Sequence, residues 1–308
     1  MKKLSRYGFL VVAVSALFLV GSASAGNAAT PCATSAQASL RSCQFGVLDD
    51  FWLSAAKCPN FPSREERDAC IRQAQGDKKD ALAECRDQNE ARLQVCADLG
   101  GEAYHPIIDP ADFVSGVDNP FFPLTPGTTL VYEAHTETGV EHDEVHVTRD
   151  VKRILGVSCT VVRDVVLLDG QLIEDTLDWY AQDIRGNVWY FGEEAKAYED
   201  GELVSIDGSW KAGRDGALPG IIMEARPRVG DVYRQELLAG EAEDLASVSS
   251  LDKSVTVPYG SFSHCLMTDD SSPLEPDVAE QKFYAPGVGT VLEIDADGSL
   301  ELIAITHD

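Results

Sequence analysis

Three histidines and two glutamates crowd one short stretch of the chain: Glu133, His135, His142, Glu144 and His146. If two strands turn at Thr138-Gly139, alternation puts all five on one face, with His135 opposite His142 and Glu133 opposite Glu144. Imidazoles beside carboxylates suit a borderline divalent cation such as zinc, and a cation would also relieve the repulsion between facing glutamates. The plainer reading of the same residues is a hydrated face of an acidic sheet. The other face, carrying Tyr132, Ala134, Val145 and Val147, points to a core.

Other candidates carry less. Asp295-Ala296-Asp297-Gly298 before Glu301 has calcium-loop residue types but is too short for the twelve-residue arrangement, and reads as a hairpin turn. Glu174, Thr176, Asp178 and Tyr180 share one strand face, where paired carboxylates could serve sugar hydrolysis, yet nothing singles out a general acid. There is no G-x-S-x-G elbow, and Ser263, His264 and Cys265 are sequence neighbours that alternate across a strand. Residues 213–220, Gly-Arg-Asp-Gly-Ala-Leu-Pro-Gly, lack a phosphate-binding lysine and read as a long loop. Trp179, Trp189, Trp210, Tyr190 and Phe191 suit a packed core, or the wall of a ligand cavity under such a loop.

The elements that must position these residues are strands. From Thr128 onward β-branched and aromatic residues alternate between glycine turns, which predicts strands over 129–136, 141–151, 158–168, 172–181, 188–191, 254–257, 265–268, 282–285 and 291–294. Two stretches repeat at a shift of 103 to 106 residues. Gly156 and Cys159 lead to Trp179-Tyr180-Ala181 and Gly186-Asn187-Val188; Gly260 and Cys265 lead to Phe283-Tyr284-Ala285 and Gly289-Thr290-Val291. The shift predicts two related meanders joined into an antiparallel barrel or a strongly curved sheet. Cys159 and Cys265 then hold matching positions and are expected to bond near a pseudo-twofold axis. Asp178-Trp179-Tyr180-Ala181-Gln182-Asp183, the following Gly186-Asn187-Val188-Trp189-Tyr190-Phe191-Gly192-Glu193, and Tyr284-Ala285-Pro286-Gly287-Val288-Gly289 resemble segments of exported bacterial β-rich proteins of unknown function. That resemblance implies an exported, barrel-like antiparallel domain and no activity.

Six cysteines precede the strands, at 32, 43, 58, 70, 85 and 96, and their spacings read the same in both directions. In an antiparallel helical hairpin, residues whose numbers have a constant sum face each other. The palindrome therefore selects Cys32–Cys96, Cys43–Cys85 and Cys58–Cys70 from the possible pairings. Cysteines eleven or more residues apart on one helix are separated by roughly 16 Å, far beyond disulfide reach, whereas two helix surfaces facing each other come within about 5 Å. A metal site would need these ligands to converge on a point. Pro59-Asn60-Phe61-Pro62 makes the turn, Ser63 with Glu66 caps the second helix, and Phe45, Leu48, Trp52, Leu82, Leu93 and Val95 are the expected apolar lining.

Residues 1–25 have a basic start (Lys2, Lys3, Arg6), an apolar run from Phe9 to Val20 and a small-residue site at Ala23-Ser24-Ala25, the pattern of a cleaved export signal. The chain is therefore expected to be periplasmic or secreted, where disulfides persist. Its formal charge of −26 argues against nucleic acid and anionic membranes, and no later segment is apolar enough to span a bilayer. The charge is uneven: residues 26–100 carry nine basic and eleven acidic side chains, and residues 101–308 carry 13 and 40. The expected division is a stapled helical hairpin over 26–100, an extended Pro-rich connector over 101–127 and an acidic antiparallel β domain over 128–308, an α+β class with segregated parts. The leading functional expectation is an exported, non-catalytic protein whose β domain binds a small ligand or cation. Two alternatives stand beside it: a metal-dependent hydrolase using the His135/His142 face, and an assembly protein acting through the hairpin.

Overall fold

A computed structural model describes residues 30–296 and 298–308, so the export-signal segment lies outside the described residues. Two helices come first, α1 (Pro31–Lys57) and α2 (Arg64–Asp98). The Thr30 side chain accepts from the Ala33 amide at the start of α1, and Pro31 occupies its first turn, where no amide is needed. At α2 the Ser63 hydroxyl accepts from the Glu66 amide (3.1 Å) while the Glu66 carboxylate accepts from the Ser63 amide (3.0 Å), a complete capping box. Disulfides join Cys32 to Cys96, Cys43 to Cys85 and Cys58 to Cys70, with Cα separations of 5.7, 5.8 and 5.5 Å.

The expected lining of this hairpin is corrected. Phe45 and Trp52 are 71% and 67% exposed, and Leu48 and Leu93 are also exposed; of the six, only Val95 is buried. The cysteines decide this. At about 100° per residue, Phe45, Leu48 and Trp52 sit roughly 140–200° around the helix from Cys43, so the face that the disulfide turns inward sends them outward.

The strands are β1 (Val117–Asn119), β2 (Phe122–Leu124), β3 (Thr128–Thr136), β4 (Gly139–Ile154), β5 (Val157–Leu168), β6 (Gln171–Gln182) and β7 (Val188–Glu194). Short elements follow: β8 (Ala197–Glu199), β9 (Glu202–Ser205), β10 (Trp210–Lys211), β11 (Leu218–Met223), β12 (Val232–Arg234) and β13 (Glu236–Leu237). The chain closes with β14 (Leu245–Val257), β15 (Gly260–Ser272), β16 (Glu275–Ala285), β17 (Gly289–Ile294) and β18 (Ser299–His307). β1 and β2 pair with each other, and the remaining strands form one antiparallel sheet. Its main path is β12-β14-β15-β16-β17-β18-β3-β4-β5-β6-β7-β11-β13. Two four-strand meanders, β4 to β7 and β14 to β17, thus repeat within it, joined through the β18–β3 pair.

The sheet is not a closed barrel. Its path ends at β12 and β13, two short strands on either side of Gln235, one on β14 and the other on β11. At Gly220 of β11 any Cβ would run into the backbone of Arg234 and Gln235, so the close crossing of these segments requires glycine there. Residues 213–220 are accordingly more than a loop, since their last three enter β11.

Residues 101–127 are also more than a connector. β1 and β2 lie there, Val117 and Leu124 are buried in the sheet's core, and the Asn119 side chain donates to the carbonyls of Gly186 (2.9 Å) and Glu224 (3.1 Å). The hairpin is docked on the sheet by Arg92, whose guanidinium bonds both oxygens of Glu243 (2.8–3.1 Å), and by Gln88, which donates to the Leu274 carbonyl (2.9 Å). No helix among the described residues is long and apolar enough to cross a membrane.

Cys159 and Cys265 are free and buried, which corrects the expected fourth disulfide. Their positions do match, since Cys159 pairs with Lys152 of β4 and Cys265 with Lys253 of β14. Yet Cys159 packs with Trp179 and Phe191, and Cys265 with Phe283 and Val291, in separate core clusters. Trp179, Tyr190, Phe191 and Trp210 are buried core residues, with Trp189 packed against them.

Candidate functional site

The hairpin carrying His135 and His142 forms with a register two residues away from the expected one. β3 meets β4 with Thr136 opposite Gly139, His135 opposite Val140, Glu133 opposite His142 and Thr129 opposite His146. The turn residues are Glu137 and Thr138, tied by the Thr136 hydroxyl, which donates to the Gly139 carbonyl (3.0 Å) and accepts from the Thr138 amide (3.2 Å). Gly139 serves a different need, because a Cβ there would meet the Asp169 carboxylate at 2.6 Å. A shift of two residues keeps every side chain on its face but changes each partner.

The five expected ligands therefore separate. His135 Nε2 lies 3.2 Å from Glu133, His142 Nε2 lies 3.4 Å from Glu144, and His146 Nδ1 lies 2.8 Å from the Thr129 hydroxyl. Among the described residues no group of three or more His, Cys, Asp or Glu side chains is arranged to hold a metal ion. At the expected hairpin turn over 295–298, Asp295 Oδ1 accepts from the Gly298 amide (2.9 Å), while Asp297 lies outside the described residues.

The concentrated chemistry is on the opposite, inward face. Tyr132, Ala134, Val145 and Val147 do face inward, and Asp143 shares their alternation. Asp143 stands opposite Tyr132; Asp164 stands opposite Thr176; Lys282 stands opposite both Thr268 and Glu293; Glu280 stands opposite Asp270. One end of this interior is apolar, built from Val147, Val162, Val248, Leu266 and Tyr284. The other end is acidic. The signal was present in the sequence: Asp143 lies two residues from Val145 and four from Val147, so alternation that points the valines inward points Asp143 inward too.

Lys282 Nζ lies 3.2 Å from Glu280 and 3.5 Å from Glu293, and the side chains of all three keep 24–30% of their surface accessible. Glu280 and Glu293 line a space rather than fill it. A cavity of about 510 Å³ opens here, walled by Glu141, Glu280, Glu293, Asp295, Ala134 and Leu300.

The electrostatics follow from crowding like charges in a poorly hydrated place. Burial, then the neighbouring carboxylate of Asp164, pushes Asp143 far up, and burial also raises Asp164. Burial, then the neighbouring Glu293, raises Glu280, and burial with Asp295 and Glu174 raises Glu141. Farther in, burial and the charge of Glu236 push Glu193 up to about 8, and burial with Asp244 pushes Glu236 up to about 8. Burial opposes the charge on Lys282, but Glu293, Glu280 and Asp270 outweigh it and hold the ammonium well above its ordinary value.

No protein-family model matches the chain, and no curated protein matches it. Two solved structures are similar to part of it. One is a protein named as exported, with a YmcC-like fold, from Bacteroides fragilis: 13% identity, TM-score 0.37, covering 61% of this chain and all of that one. The other is named as a lipoprotein, from Parabacteroides distasonis: 15% identity, TM-score 0.34, covering 61% of this chain and 99% of that one. The three disulfides fit a periplasmic or extracellular location.

Proposed function

We propose that this is an exported, non-catalytic binding protein whose sheet interior takes a small organic cation. One observation carries the reading: three glutamates, Glu141, Glu280 and Glu293, wall a cavity of about 510 Å³, and Lys282 Nζ, 3.2 Å from Glu280 and 3.5 Å from Glu293, is the ammonium beside them. One ammonium among that many carboxylates leaves the cavity in need of positive charge, and a second cation would release the proton that burial and Glu293 favour on Glu280. An amine fits better than a bare metal ion, because among the described residues no three carboxylates converge as a metal site needs. With His135 on Glu133, His142 on Glu144 and His146 on the Thr129 hydroxyl, the convergent set that a metal-dependent hydrolase would need is missing among the described residues.

The test is calorimetry with 1,4-diaminobutane at pH 7. One saturable site is expected, weakened at least tenfold in the Glu280→Gln/Glu293→Gln double variant. Absence of saturable binding by a folded protein would sink the proposal.

A further inference from the structure

A second cavity, far from the acidic chamber in character, lies where the hairpin meets the sheet. It measures about 340 Å³ and is walled by Ala36 of α1, Cys96 of α2, Leu99 just past its end, Leu237 and Ala239, with the Cys32–Cys96 disulfide as part of the wall. Such apolar concavities, carrying a few placed polar groups, are what small ligands occupy.

The polar groups here are guanidiniums. Arg92 is over nine-tenths buried; its Nε and Nη2 bond Glu243, whereas its buried Nη1 has no protein acceptor. Arg234 borders the same cavity, makes no salt bridge within 4 Å among the described residues, and lies over the Tyr104 ring at 5.8 Å. Tyr104 itself is committed, since its hydroxyl donates to the Pro219 carbonyl (2.8 Å). Glu243 is equally committed, bound by Arg92 and by the Gly240 amide (2.7 Å). Arg234 is thus a half-buried cation whose charge no neighbouring carboxylate neutralises at contact distance, facing apolar walls.

We infer that this junction cavity binds a small amphipathic monocarboxylate, its carboxylate on Arg234 and its hydrocarbon body against Ala36, Leu99 and Leu237. Guanidinium and carboxylate match as a planar, two-toothed pair. Glu102, which also borders the cavity, makes each further negative charge on a ligand less favourable and so disfavours a dianion. The negative charge of the whole chain is no obstacle at contact range, because salt screens it beyond about 8–10 Å. The site needs both halves of the molecule, as α1 and α2 supply one wall and the segment around Arg234 the other.

Calorimetry on the full disulfide-bonded protein, with octanoate as probe at pH 7 and physiological salt, tests the assignment. Octanoate is expected to bind at one site per chain, at least tenfold tighter than octanol, with inorganic phosphate inert. Octylamine controls for the acidic chamber: heat from it must survive in variants that lose octanoate. Arg234→Gln should weaken octanoate at least tenfold, and Arg234→Lys should recover part of that loss. Should Arg234→Gln fail to fold, Ala239→Trp, at an exposed rim position, should block octanoate by bulk alone. Equal affinity for octanoate and octanol, undiminished binding in folded Arg234→Gln, or unhindered binding in folded Ala239→Trp would each overturn the inference.

Discussion

The hairpin and the sheet solve the same problem in opposite ways. The hairpin turns Phe45 and Trp52 to solvent and keeps little more than Ala36, Ala74 and Val95 inside, so cross-links replace the core it lacks. The sheet buries Leu266, Leu302, Phe191 and many valines, and then spends part of that interior on Asp143, Asp178, Glu236 and Asp270. A stapled rod can display apolar residues because its fold does not depend on them. A sheet with a large core can hold charges inside because the surrounding packing outweighs their desolvation.

The sharpest way to break this comparison is to remove the staples. Each disulfide contributes about 2–4 kcal/mol, less than additively when nested. Full reduction should therefore melt residues 31–98 while β3 to β7 and β14 to β18 stay folded, read as lost helical ellipticity with retained amide protection in the strands. Loss of protection throughout would show that the sheet depends on the hairpin.

A smaller effect separates the two kinds of apolar residue. Leu266→Ala, at a fully buried site, should cost about 2–5 kcal/mol in denaturant unfolding, whereas Trp52→Ala should stay within about 0.5 kcal/mol despite removing the larger side chain. Equal costs would mean that the outward face of α1 is covered in solution.

The acidic interior makes a gentler, oppositely signed prediction. Glu193 and Glu236 titrate near 8 when folded against 4.5 as the ordinary glutamate value, so between those pH values the native state holds protons that the unfolded chain has released. Stability must then fall as pH rises through that window, at up to about 1.4 kcal/mol per pH unit for each group. The melting temperature is expected to be higher at pH 5.5 than at pH 8, with the slope reduced in Glu193→Gln. A rise in stability from pH 5.5 to 8 would contradict the assignment.

The smallest test concerns the thiols. Iodoacetamide should label Cys159 and Cys265 only after unfolding, since both are fully buried and unbonded. An intact mass showing four disulfides would restore the cross-link expected from the matching positions.

Much of this architecture is legible in the sequence because it rests on spacing. The mirror-symmetric cysteines define their pairing, Ser63 and Glu66 mark the start of α2, and the repeated glycine turns mark both meanders. Register was harder: Gly139 looks like a turn residue, but its missing Cβ makes room for Asp169. The short strands β8 to β13 exist only through tertiary pairing, so local alternation does not reveal them. The interior charge was hidden by expectation rather than by pattern, since a carboxylate at an inward position reads as an exposed residue until its neighbours are known.

The account rests on the acidic half of the sheet interior being protonated and short of positive charge. Carbon-detected NMR titration of the glutamate carboxyls, with and without 1,4-diaminobutane, addresses that directly. Glu193 and Glu236 are expected to titrate near pH 8, and the midpoint of Glu280 to fall when the diamine binds. Glutamates that all titrate at their ordinary values, unmoved by the diamine, would contradict it.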